Sequence, residues 1–399
     1  MSPIFKPLIL SLLFCFIICG TLKAQGELDE RSMKFRGMEY KSKDSLFYIN
    51  FRFRMQNRMG FYTHSGDDLG IKEWDARVRR LRLRGDGYIL GEKLAYTFQL
   101  SFSRGDQDSE NTGVANIVRD AVIFYHFNDN FYVAFGQNKL PGNRQRVNSS
   151  GQLQFAERSI VNAALTLDRD FGVKAYYKNK IGNSVYHLKG AITTGEGRSV
   201  NNTDDGLAYT TRVELLPFGD FKNSGDYSEG DTERESTVKL SLAGGYSFNN
   251  GTTKSGGQLG KNLYSGVNMQ SWLFDAIVKY NGWAYSVEYI KRTVDDPFTY
   301  NTDGDMIYAY EGEGINHQAS YIFKNNFETA FRYSNLKPSQ SLNTLENKKE
   351  VLELGLSKYL KGHRVKAQVN VNYNIVGGNY SFDHAQNNWG AIFQIELGI

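Results

Sequence analysis

The sequence predicts an all-β fold: a transmembrane antiparallel β-barrel of about 16 strands occupying residues 46–399, with short periplasmic turns and long extracellular loops. Three observations carry this. Short segments alternate apolar with polar residues, their connections are alternately short and long, and the chain is rich in Phe (26), Tyr (25) and Gly (40) at a mean hydropathy of only −0.48. Side chains alternate faces along a strand, so each segment has one oily and one wet side. A soluble sandwich shares that alternation but not the asymmetry of loops. No run after residue 24 approaches the roughly 20 apolar residues of a spanning helix,.

Taken in order, residues 1–24 read as a signal peptide. Lys6 precedes an apolar run from Leu8 to Cys19, too short for a membrane span, and cleavage is expected after Ala24,. Both cysteines, Cys15 and Cys19, leave with it, which excludes disulfides, zinc-thiolate sites and cysteine catalysis from the mature chain. The formal net charge of +4 falls by two when Lys6 and Lys23 are removed, so there is no nucleic-acid footprint. Residues 25–45 are charged and aperiodic, as in a solvated periplasmic N-terminal segment.

The barrel then begins. Phe47, Ile49, Phe51, Phe53 and Met55 share one face opposite Tyr48, Asn50, Arg52, Arg54 and Gln56. Long polar connections are expected at His64–Trp74, Arg104–Asn116, Leu140–Asp170, Gly195–Asp205, Asn249–Asn268, Thr293–Glu313, Leu336–Lys348 and Gly377–Asn387. Between them lie short turns at Gly91-Glu92, Asn128–Asn130, Ile181–Asn183, Asn281-Gly282, Asn325-Asn326 and Lys361-Gly362, with the Gly and Asn residues that tight hairpins need,. Pro217–Ser236 is long where a short turn is due and reads as an extended periplasmic loop. The last segment repeats the pattern of the first, with Trp389, Ala391, Phe393, Ile395, Leu397 and Ile399 opposite Gly390, Ile392, Gln394, Glu396 and Gly398. An even strand number places both ends of the barrel on the short-turn side.

If the apolar parity faces lipid, the other parity lines the lumen. It holds Arg52, Arg54 and Arg58 on the first strand and Arg80, Arg82 and Arg84 on the second, with Arg77 and Arg79 just before. Guanidinium groups keep their charge and present five donors in a planar fork, so such rows attract phosphate, carboxylate and sulfate groups. Lumenal carboxylates such as Asp86, Asp120, Glu214, Glu288, Glu328, Glu353 and Glu396 could instead neutralise them. The 140–170 connection carries Arg144, Arg146, Arg158 and Arg169 and can either narrow the bore or remain on the surface. Acidic pairs such as Asp67-Asp68 and Asp295-Asp296 in the outer loops could share divalent cations with lipopolysaccharide, although paired loop acids are more often only solvated. The six histidines are scattered and no nucleophile elbow or metalloprotease pair occurs,. A hydrolytic barrel and a closed structural barrel stand as rivals to a channel. No cofactor or metal is expected.

Several runs resemble the family of phosphate-selective porins O and P. They are Arg79-Arg80-Leu81-Arg82-Leu83-Arg84-Gly85 with Tyr96 and Phe98, Gly136-Gln137-Asn138-Lys139-Leu140-Pro141, Ser149-Ser150, Phe155-Ala156-Glu157-Arg158-Ser159, Arg169-Asp170-Phe171-Gly172, and Arg212-Val213-Glu214-Leu215 before Pro217-Phe218-Gly219. The likeness is clearest in the first half. It implies a sixteen-stranded, usually trimeric outer-membrane channel whose third loop folds into the bore and whose basic lumenal residues guide small anions. On that resemblance, Arg144, Arg146 and Arg158 are expected in the constriction.

Overall fold

The computed structural model describes residues 38–103, 116–200 and 206–399. The expected leader, 1–24, lies outside them, as do residues 25–37 and the loop acids Asp106, Asp108, Asp204 and Asp205. β1 (Met38–Lys41) pairs with the start of β2 (Phe47–Thr63). The ring continues through β3 (Ile71–Ile89), β4 (Leu94–Ser101), β5 (Val118–His126), β6 (Phe131–Lys139), β7 (Arg169–Ile181), β8 (Ser184–Thr193), β9 (Ala208–Leu216), β10 (Lys239–Lys254), β11 (Asn262–Tyr280) and β12 (Trp283–Val294). A small hairpin, β13 (Phe298–Tyr300) and β14 (Met306–Tyr308), decorates the next outer loop. β15 (Gly312–Ile322), β16 (Phe327–Pro338), β17 (Lys349–Lys361), β18 (Val365–Val376) and β19 (Asn388–Gly398) complete the barrel. β19 pairs with β2, from Gly390 opposite Tyr62 to Gly398 opposite Arg54, so sixteen antiparallel strands close on themselves.

β1 falls in the segment read as aperiodic. Its cause is positional: the β19–β2 pairing reaches only Gly398 opposite Arg54, with Ile399 N–H donating to Phe53 O at 3.0 Å beyond it, so the first residues of β2 have an edge that β19 does not cover. β1 occupies that edge, with Met38 opposite Phe51 and Lys41 opposite Tyr48, and satisfies its backbone groups,. Several outer loops are also shorter than polarity suggested, because their strands run on into the expected loop. The first connection shrinks to 64–70 and the one after β10 to 255–261.

The parity holds along most of the ring, with a reversal in β3. Phe274 is 53% exposed and Leu354 64%, while their neighbours Asp275 and Glu353 face inward and are buried. Aromatic rings gather near the short turns, with Tyr125 against Phe127 at 4.9 Å and Trp283 against Tyr321 at 4.7 Å, as interfacial girdles do,. Asn281 and Gly282 have φ of 46° and 92°, the two positive angles of a type I′ hairpin,.

Two inward segments enter the lumen. Between β6 and β7, residues 140–168 leave the wall through a neck closed by Leu140 N–H to Asp168 O at 2.9 Å. They form α1 (Arg144–Val147) and α2 (Ile160–Leu165), the latter capped by Ser159 Oγ accepting from Asn162 N–H at 3.1 Å. Leu140, Val161, Leu165 and Leu167 pack against Ala191, Leu273, Ile290 and Leu336 of the wall. Gly314 is required there, since a Cβ would lie 2.8 Å from Val161. The second segment, 217–238, enters from the opposite end rather than staying in the periplasm. Glu229 N–H donates to Gln152 O at 2.9 Å, and its carboxylate accepts from Gln145, from Gln154 N–H and from Gln318.

Candidate functional site: a basic passage through the lumen

A cavity of about 1010 Å³ lies open in the lumen along the inner faces of β2 to β7. Among the described residues its lining contains fourteen arginines and Lys139 but three acidic side chains, Asp120, Glu157 and Asp168. Charges of the other sign sit on the far wall, beneath the inward segments. Glu288 accepts from Gln145 N–H and Asn143 Nδ2, both at 3.0 Å, and Glu328 accepts from Tyr359 Oη at 2.5 Å and from Gln154. Filling one side of the bore therefore buries these acids together with Arg212, Lys279, Arg292, Arg332 and Lys366, and leaves the basic wall of β2 to β7 facing the cavity.

All six strand arginines expected in the lumen line this cavity. Arg52 and Arg84 share Asp86, with Arg84 Nη2 at 2.6 Å. Arg54 Nε lies 3.1 Å from Glu396 and its Nη1 donates to Ser149 Oγ at 2.9 Å. Arg58 contacts Asp75 at 2.6 Å and Glu157 at 2.5 Å. Arg80 donates to Gln56 at 2.7 Å and Arg82 to Ser150 Oγ at 2.9 Å. Three of these contacts therefore go to the inward segment, and they pin it to the basic wall.

The four residues grouped with the 140–170 connection divide. Arg146, Arg158 and Arg169 line the cavity; Arg144 does not. Arg144 crosses to the opposite wall, where its Nε meets Asp275 at 2.5 Å and its Nη2 donates to Ser241 Oγ at 2.8 Å. It serves as a latch, because the neighbouring Arg212 leaves Asp275 an acceptor for two guanidinium groups. Arg146 pairs with Asp168, and Arg169 with Asp120 at 2.8 Å from the first position of β7 rather than from the loop. Arg158 donates to the carbonyls of Gln145 (2.7 Å) and Asn148 (2.9 Å), at the C-terminal end of α1. Burial, Arg146 and Arg80 all work against its protonated form, the direction expected where positive charge is crowded,. Glu157 shows the converse. Burial alone would raise its carboxyl, but Arg80, Arg79 and Arg58 together hold it well below the ordinary carboxylate range.

Arg77, Arg79, Arg119, Lys139, Arg198 and Arg364 also line the passage. Strict alternation puts Arg77 and Arg79 on the lipid face with Leu81 and Leu83. A β-bulge reverses this: Gln56 opposes Arg80 while Asn57 opposes Val78, so Arg79 is an extra residue and the parity resets around it,. Arg79 and Arg80 then both turn inward. Arg198 comes from an outer loop. Asp170 accepts from Thr193 Oγ1 (2.6 Å), Thr194 Oγ1 (2.8 Å), Gly195 N–H (2.7 Å) and Gly197 N–H (3.2 Å), and this tight turn aims Arg198 at the cavity. Only the glycines at 195 and 197, both at φ 91°, hint at it in sequence. The histidines keep to separate places: His187 lies 3.6 Å from Glu214, His317 bonds Tyr285 Oη at 2.8 Å, and His363 bonds Glu229 O at 3.2 Å.

Comparison with known proteins agrees with this geometry. The model of the family described as phosphate-selective porin O and P matches residues 49–394. An uncharacterised protein of Aquifex aeolicus (strain VF5) is 24% identical over 365 residues, covering 81% of this chain and 82% of that protein. Among solved structures, OmpF of Salmonella typhi, in complex with daunomycin, superposes with a TM-score of 0.56 at 14% identity, over 91% of this chain and all of the other (100%). The anion-selective porin of Comamonas acidovorans gives 0.52 at 13%, over 88% and 100%. OmpT of Vibrio cholerae in its trimer form gives 0.50 at 12%, over 88% and 99%.

Proposed function

The chain belongs to the phosphate-selective porin O and P family, an outer-membrane porin of a Gram-negative bacterium, and from that premise we propose that its water-filled channel passes small anions down their gradient. The observation that carries the proposal is the imbalance of the lining, fourteen arginines and a lysine against three acidic side chains. Salt bridges reduce it without cancelling it: Asp86 pairs with Arg52 and Arg84, Asp75 with Arg58 and Arg77, and Glu396 with Arg54, and among the described residues the cations still outnumber the carboxylates. Several weak guanidinium contacts in series admit an anion without trapping it, which is what conduction requires. Arg52, Arg54, Arg58, Arg80, Arg82 and Arg84 act as the guiding wall, with Arg146, Arg158 and Arg169 opposite them; Arg144 holds the constriction in place. The proposal contains no catalytic step.

The test is the reversal potential of the purified protein in a planar bilayer across a potassium chloride gradient. A chloride-signed potential is expected, and a potassium-signed one refutes the reading. A homotrimer is part of the same proposal, supported by the trimer form of the Vibrio cholerae relative in fold. An unheated sample running as a threefold species on a denaturing gel would bear it out; a monomeric band that withstands cross-linking would not.

A further inference from the structure

Glu157 is the carboxylate that the inward segment delivers to the basic wall itself. Its Oε1 accepts from Arg58 Nη1 at 2.5 Å and from Arg79 Nε, and its Oε2 accepts from Arg79 Nη2 at 3.1 Å and from Arg80 Nη2 at 3.4 Å. Arg79 thus grips both oxygens side by side, the bidentate geometry by which a guanidinium recognises a carboxylate. The side chains of Arg58 and Arg80 are only 4% and 2% exposed, whereas that of Glu157 is 32% exposed and lies on the cavity side of them. The cradle is built into the wall and the carboxylate covers it.

The backbone beneath Glu157 is held independently. Arg332 Nη1 donates to Glu157 O at 3.0 Å, Asn370 accepts from Ala156 N–H at 2.8 Å, and the Arg332 guanidinium stacks over Phe155 at 4.3 Å. The loop does not need the carboxylate to stay where it is.

We propose that Arg58, Arg79 and Arg80 form a binding site for small carboxylate solutes, and that Glu157 is a tethered competitor occupying it. The inference rests on the anion-channel reading above. A group tethered this closely acts at a high effective concentration, so a free carboxylate displaces it only briefly. The site then passes solute on instead of retaining it. Removing the tethered group converts a point of transit into a trap.

The experiment compares wild type, Glu157→Ala and Glu157→Gln by single-channel recording of chloride current while acetate is added. Acetate should half-block the Glu157→Ala channel at a concentration about tenfold or more below that needed for wild type, the loss of one charge-assisted competitor. Glu157→Gln, which keeps an oxygen in the cradle without the charge, should fall between them and carries the test if the alanine variant fails to fold. Adding Arg79→Gln to Glu157→Ala should abolish the new block. Equal acetate block in all three proteins overturns the proposal while the chloride-signed reversal potential still stands. A potassium-signed potential in wild type overturns both.

Discussion

Arg158 offers the most direct measure of the field in the passage. It stands on the inward segment, faces the cavity, and among the described residues donates to the backbone carbonyls of Gln145 and Asn148. Arg158→Gln removes one unit of positive charge, and the change in potential does not depend on whether the arginine was paired, because fields add. For an ion passing about 6 Å away in water-like surroundings, that charge is worth about 0.7 kcal/mol. Screening at 0.1 M salt, with a Debye length of about 10 Å, reduces it to about 0.4 kcal/mol. The loss has opposite signs for chloride and potassium, so their permeability ratio should fall about three- to fourfold. The assay is reversal potential in a planar bilayer, with Arg158→Lys as the control that keeps the charge. The reasoning fails if Arg158→Gln leaves the ratio unchanged, or if Arg158→Lys lowers it as much.

Three further outcomes follow from the packing. Arg144→Ala breaks a buried ion pair, for which about 3 kcal/mol is expected because Arg212 remains on Asp275,; the barrel should unfold at lower temperature in heat-modifiability gels, and its open-channel current should become noisier. Gly314→Val places atoms against Val161 and pushes α2 off the wall toward the passage, so single-channel conductance should drop,. The third concerns pH. The carboxyl of Glu157 is lowered from an ordinary value of 4.5, so its charge and the stability it lends are present above that value and are lost only as pH falls through the lower, folded value,. The difference in reversal potential between wild type and Glu157→Gln should therefore persist unchanged from pH 7 down to 4.5; its disappearance near pH 5 would show a carboxyl that titrates normally.

Much of this protein was legible in its residues. A strand has period two, and a membrane barrel has lipid on one side and water on the other, so Phe47 to Gln56 and Trp389 to Ile399 announce their orientation without reference to any other part of the chain. Tight turns such as Asn281-Gly282 are equally local. The six wall arginines followed from the same parity. Arg77 and Arg79 escaped it because a single extra residue, set by the pairing of β3 with β2, reverses which side faces water. β1 escaped as well, since the edge it covers is defined by the register of β19 against β2, more than three hundred residues away.

Which charges balance the wall arginines along the passage was decided by the tertiary structure. Acidic and basic residues are nearly balanced along the chain, with 47 Lys and Arg against 43 Asp and Glu. Two segments enter from opposite ends of the ring and cover the wall where Glu288 and Glu328 lie among Arg212, Arg292 and Arg332, so the basic wall of β2 to β7 is the part left beside the path. Composition counts charges wherever they lie, but a permeating ion responds to those that the fold leaves beside its path.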